Sequence, residues 1–205
     1  GDTLETSDVV NGGAELFLYQ SGYLTIKGYD DGVYILGFPN FEVRKALYRV
    51  VVPALTMKSN SEVVSAQSFL RKMMQDGNTA EAKKALKALI ADVPYSNKKM
   101  ASMDMEERYR LIMSTIFRAL GFRVEVERML ATGRIDMIVE VPSIIYVLEL
   151  KLSNNGGISA AESQIKEKSY TEPFKADKRK VIALAVELDE TGKGLIDWKE
   201  VDESL

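Results

Sequence analysis

Two apolar runs, Ile135–Val141 and Ile144–Leu152, lie on either side of Pro142-Ser143 and constrain this chain more than any other feature. Runs of this length, rich in Ile and Val and parted by a turn signal, predict a tight antiparallel hairpin buried in a core. Pairing Val141 with Ile144 across the turn puts Asp136 directly opposite Glu149, and Arg134 opposite Lys151. Side chains alternate along a strand, so Arg134, Asp136, Ile138, Glu140, Ile145, Val147, Glu149 and Lys151 share one face. Ile135, Met137, Val139, Val141, Ile144, Tyr146, Leu148, Leu150 and Leu152 share the other, which is expected to be pure core.

Carboxylates placed directly opposite in a sheet have Cβ atoms about 5 Å apart and repel unless a proton or a cation sits between them. A divalent cation is the natural occupant. The chain contains no histidine and no cysteine, which excludes thiolate or imidazole zinc centres, Cys or Ser-His nucleophile systems and disulfides. Oxygen ligands alone remain, and these select Mg2+, Mn2+ or Ca2+. Lys151 points to the same side as Glu149 and could order or deprotonate a water, or stabilise charge developing on a phosphate. The competing reading is a solvated face on which Asp136 pairs with Arg134 or Lys151 and Glu149 with a neighbouring lysine. The apolar remainder of the strand argues for burial instead.

The rest of the chain supplies an order of elements. A short helix over Asn11–Gln20 and strands Tyr23–Tyr29 and Val33–Phe38 around Asp30-Asp31-Gly32 lead to a helix that Asn40 can cap. Helix, hairpin and helix in this order suit a winged-helix-like unit. Helical periodicity over 61–76 and 79–92, with Gly77-Asn78 between and Thr79 as the expected cap, predicts a helical hairpin. Its methionines and lysines read as core filler and solvated surface. The polar stretch Pro94–Met103 is the expected boundary between residues 1–93 and 94–205. Beyond it come a helix from Asp104 to Leu120 and strands 122–130, 135–141 and 144–152. A helix near 159–170, a strand near 179–187 and a short closing strand at 196–198 complete the chain.

With 27 Lys and Arg against 30 Asp and Glu, the formal charge of -3 excludes a uniformly basic coat and a polybasic membrane anchor. The apolar runs are far short of the roughly 18 residues of a membrane span. A cytoplasmic location is the expectation, and Gly1 in place of Met suggests a chain cut from something longer.

Gly133-Arg134-Ile135-Asp136 followed by Glu149-Leu150-Lys151 resembles the signature of the PD-(D/E)XK nuclease superfamily, with Ile135 where the family name has Pro. The resemblance implies an α/β (α+β) fold: a restriction-endonuclease-like αβββαβ core, here preceded by a mostly helical, winged-helix-like part. It also implies Mg2+ or Mn2+ held by Asp136, Glu149 and the Leu150 carbonyl, Lys151 positioning the attacking water, and Glu106 on the first helix, with Glu107 as fallback. Gln164 and Lys168 are similar to a second-helix motif of one branch of the superfamily. Implied partners are nucleic acid, chiefly DNA, met by Arg134, Lys151, Lys166, Lys168, Lys175 and the run Lys178-Arg179-Lys180.

The front segment, Leu18–Lys27, Gly37–Asn40 and Glu42–Arg44, resembles the end of an AAA-ATPase-like region of the kind that precedes such nuclease domains. No phosphate-cradling glycine loop ending in Lys-Ser or Lys-Thr is present, so ATP binding is not carried over. The alternative function is a catalytically inactive module that binds nucleic acid or protein as an appendage of an ATPase.

Overall fold

The computed structural model describes residues 13–91 and 104–202. The chain divides into two compact units, 1–51 and 52–205. The expected helix start at Asn11 and the expected boundary Pro94–Met103 lie outside the described residues.

In the first unit, α1 (Ala14–Gln20) precedes the antiparallel pair β1 (Thr25–Asp30) and β2 (Val33–Gly37). Asp31 and Gly32 join the strands at φ 40° and 85°, the two left-handed positions that a two-residue turn needs to match strand twist. Helix α2 (Phe41–Thr56) begins where the Asn40 side chain accepts the Val43 N–H at 2.9 Å.

In the second unit, α3 (Asn60–Asp76) opens with a reciprocal capping box between Ser59 and Glu62 and stops at Gly77, φ 73°. Helix α4 (Thr79–Ile90) is capped by Asn78, whose side chain accepts the Glu81 N–H at 3.2 Å, and not by Thr79 as expected. Thr79 instead lies inside the first turn, and its hydroxyl bonds Glu200. Helix α5 (Met105–Ala119) starts at the expected cap, Asp104, and Gly121 turns the chain at φ 86°.

Five strands follow: β3 (Arg123–Leu130), β4 (Gly133–Glu140), β5 (Ile144–Leu152), β6 (Lys180–Leu188) and β7 (Leu195–Val201), in spatial order β3-β4-β5-β6-β7. Only β5 and β6 are parallel, and the crossover between them carries α6 (Gly157–Lys168), as parallel neighbours require. The order αβββαβ is as expected; the closing strand is longer than the three residues anticipated. The fold is mixed α/β, consistent with a restriction-endonuclease-like arrangement.

The expected hairpin register holds: Met137 pairs Leu148, Ile138 pairs Val147, Val139 pairs Tyr146 and Glu140 pairs Ile145. The expected division of faces needs correction. Ile138, Ile145 and Val147, on the face that also bears the charges, pack with Ala161 and Ile165 of α6 and with Ala183 and Ala185 of β6. That face is core at the turn end of the hairpin and polar only at the other end. Helices α3 and α4 meet the sheet as well: the buried Tyr146 hydroxyl donates to the Met74 carbonyl at 2.6 Å, and Trp198 Nε1 donates to the Thr79 carbonyl at 2.9 Å.

The Tyr146 hydroxyl ties a central strand to the last turn of α3 in a dry setting, where an unmade hydrogen bond is costly. Tyr146→Phe is therefore expected to lower the unfolding free energy by about 1–2 kcal/mol in urea titration, with an unchanged m-value.

Candidate active site

The site is built where the β4–β5 ladder stops. Its last pair is Met137 with Leu148, one short of Asp136 and Glu149. The two acids are therefore not a ladder pair. Asp136 Oδ2 instead accepts the backbone N–H of Leu150 at 2.9 Å, so the side chain takes over the role of the missing rung. On the other edge of β4, Val126 pairs Met137 and Arg128 pairs Ile135, but Glu127 and Asp136 between them are unpaired. Glu127 sits at φ 54°, rare for a residue with a side chain. This local break lets Ile135 join the same apolar cluster as Ile138, an odd and an even position on one side. Alternation over the whole strand thus fails at Asp136.

Asp136 is 4% exposed and Glu149 is fully buried. Lys151 Nζ donates to Glu149 Oε1 at 2.8 Å, while Glu149 Oε2 is buried without a hydrogen-bond partner. Burial and the neighbouring Asp136 carboxylate push Glu149 up to about 8, against the pull of Lys151. Burial alone would drive the Lys151 ammonium down, yet the combined field of Glu149, Asp136 and Glu106 lifts it above its ordinary value. Glu106, in the first turn of α5, is raised by burial and by Asp136, with Lys151 and Arg110 opposing. Glu106, Glu149 and Lys151 thus all feel the Asp136 carboxylate, and the four form one electrostatic cluster. Glu107, the fallback, is exposed.

Gln164 reaches the site indirectly. Its Nε2 donates to the Tyr170 hydroxyl at 3.0 Å, and that hydroxyl donates to the Arg134 carbonyl at 2.7 Å. Tyr170 itself is buried. The structure adds that it anchors α6 to β4 two residues before Asp136, a link no spacing rule could reveal. Arg134 is half-exposed and paired with Glu127 at 2.8 Å. Lys168 is exposed, its stem running beside Gly133. Of the other expected cations, Lys166 pairs Glu162, Lys175 pairs Glu172, and Arg179 bridges Asp177 and Glu140.

Residues 104–198 match the family model of the PD-(D/E)XK nuclease superfamily. The matched segment contains Glu106, Asp136, Glu149, Leu150, Lys151 and Gln164, and it spans α5 to the middle of β7. The chain is also similar, at 26% identity over 93% of its length, to a protein of Azotobacter chroococcum mcd 1 described as an uncharacterized protein in the vnfD 5' region. It spans 37% of the length of that relative. No solved structure matches.

Among the described residues there is no group of three or more carboxylates that could hold a metal ion. The donors that do fit a hard cation are Asp136 and Glu149, both oxygen ligands, one with a buried oxygen lacking any donor. Two further features agree with a hard cation as occupant: the acids repel each other, and the chain supplies no imidazole or thiolate that would favour a softer metal.

The raised Glu149 carboxyl gives a pH test. A carboxyl whose folded value lies above its unfolded one stabilises the fold below the unfolded value, near 4.5, and loses that contribution as pH rises through about 8. Without metal, wild type should therefore lose stability between pH 5 and 8.5. Glu149→Gln, which cannot ionise, should flatten that decline and melt higher than wild type at pH 8.5 by a few degrees in differential scanning fluorimetry. An unchanged slope would remove the raised carboxyl from the account.

Proposed function

We propose that this chain carries a metal-dependent nuclease that hydrolyses phosphodiester bonds, with DNA as substrate and Mg2+ or Mn2+ as cofactor. The observation that carries this reading is the buried, partnerless Oε2 of Glu149 beside Asp136, with Lys151 on the other oxygen. Asp136 and Glu149 would hold the cation, with the Leu150 carbonyl completing the set. Bound there, a divalent cation neutralises the two acids, polarises a phosphoryl oxygen and lowers the pKa of water.

The remaining roles fall to the chain itself. Lys151, held as an ammonium, has three donors and no lone pair. It is placed to donate to the water oxygen or to the phosphate as negative charge builds. Hydrolysis adds the water oxygen to phosphorus, breaks one P–O ester bond and leaves a hydroxyl and a phosphomonoester. The raised Glu106 carboxyl, next to the acids, is suited to accept or return the proton involved. Gln164, through Tyr170, fixes the backbone of Arg134 and so the approach of β4 to the site.

In the same reading residues 94–205 are the nuclease-like domain and residues 1–93 the end of an AAA-ATPase-like region whose remainder lies upstream. The Azotobacter relative is longer than the segment it shares with this chain, which leaves room for a further region in that protein. Helices α3 and α4, in the same compact unit as the sheet, would be the part of that region which became its cover.

One contact favours the inactive alternative: Lys151 already neutralises Glu149 at 2.8 Å, as a purely structural ion pair would. Titration calorimetry and plasmid cleavage separate the two. The nuclease reading expects Mn2+ binding that falls at least about tenfold in Asp136→Asn, and nicking that Lys151→Ala reduces at least about a hundredfold without loss of Mn2+ binding. No heat with Mn2+ and no cleavage by wild type would leave the binding module as the function.

A further inference from the structure

Glu127 has no part in the hydrolytic reading, yet it holds the least ordinary position in the sheet. It is the only non-glycine residue described in β3–β7 with a left-handed backbone, and it stands outside the β3–β4 ladder across from Asp136. Its carboxylate binds two guanidinium groups that arrive from different elements, Arg110 of α5 and Arg134 of β4. Arg110 lies one helical turn after Glu106 and approaches it at 3.9 Å. The three residues therefore adjoin the acid cluster rather than forming a separate surface pair.

The arginines are unequally exposed. Arg110 has 11% of its side chain exposed and Arg134 48%. Arg110 Nε is buried without a hydrogen-bond partner, so a deeply set guanidinium keeps an unused donor beside the acids. Forks of this kind match the paired oxygens of a carboxylate or of a phosphate equally well. Glu127 itself is nearly half exposed, where an ion pair contributes little to stability. A solvated carboxylate held at a costly backbone angle between two arginines is poorly explained as a fold-stabilising contact. It is well explained as an exchangeable one. The -3 net charge sharpens this, because strand binding must come from cations set free locally.

We propose that Arg110 and Arg134 form a clamp for a backbone phosphate of a bound nucleic-acid strand, and that Glu127 occupies the clamp in the strand's absence. The inference rests on the nuclease reading for the class of ligand. Binding exchanges one anion for another: the strand's phosphate takes the two forks, and the Glu127 carboxylate moves into solvent. Arg134 is in this account a binding residue and Arg110 its buried half, neither of them a catalytic group.

Fluorescence anisotropy of a fluorescein-labelled duplex oligonucleotide in EDTA, over a series of KCl concentrations, tests this on the full chain. Glu127→Gln should bind about fivefold more tightly than wild type, because no carboxylate competes for the forks. Arg134→Ala should bind about fivefold more weakly, with the slope of log K against log salt reduced by about one. Adding Arg134→Ala to Glu127→Gln should remove the gain. Glu127→Gly, which suits the left-handed backbone, repeats the experiment should the glutamine variant melt early. Equal or weaker binding by both Glu127 variants, while wild type binds and cleaves, overturns the clamp and leaves the nuclease reading intact. Absence of oligonucleotide binding by any variant overturns both. A Glu127 gain without Mn2+-dependent cleavage by wild type supports the clamp and sinks hydrolysis.

Discussion

Two carboxylates buried side by side at the end of a β-ladder set the terms for everything around them. Burial of one ionised acid is expensive, and burial of two without a counter-charge is more so. The surroundings answer that cost piece by piece: a backbone N–H from Leu150 on Asp136, an ammonium from Lys151 on Glu149, and a second Glu149 oxygen with no donor of its own beside the Asp136 carboxylate. The sheet accommodates the pair by ending one ladder and interrupting another. A fold selected for stability alone would place leucine or valine at these positions, as it does at Ile138, Ile145 and Val147 a few residues away on the same side.

Much of this was legible in the amino-acid order because the hairpin is local. The Pro142-Ser143 turn fixes the register, and the register brings positions 136 and 149 together with no help from distant parts of the chain. The αβββαβ order was legible for a similar reason, since each element carries its own periodicity and cap. What could not be read was non-local or depended on a broken rule. Period-two alternation expects Ile135 beside Met137 and Val139, whereas next to the gap at Glu127 and Asp136 it packs in the cluster of Ile138. The Tyr170 hydroxyl joins residues 134 and 164 through a contact that has no sequence period. Thr79 and Asn78 are both good capping residues, and Asn78, the better acceptor, takes the helix start.

The helical hairpin was expected to lie before a boundary, and its own amphipathic pattern supports helices without saying what they cover. The structure puts the Met74 carbonyl on Tyr146 and the Thr79 carbonyl on Trp198, so the α3–α4 pair and the sheet share one compact unit. Lys83 extends this link to Asp197 at 2.6 Å. The similarity to a longer relative extends over both units, in keeping with a front part and a sheet that travel together.

The single parallel junction in the sheet has a kinetic meaning. The β4–β5 turn closes a short loop and forms quickly, whereas β5 meets β6 only after the whole intervening crossover has found its place. The hairpin that carries Asp136 and Glu149 therefore closes at a small entropic cost, and the β5–β6 pairing, with α6 between its strands, at a larger one. The local pairing thus needs nothing from the crossover, whereas the parallel junction needs all of it.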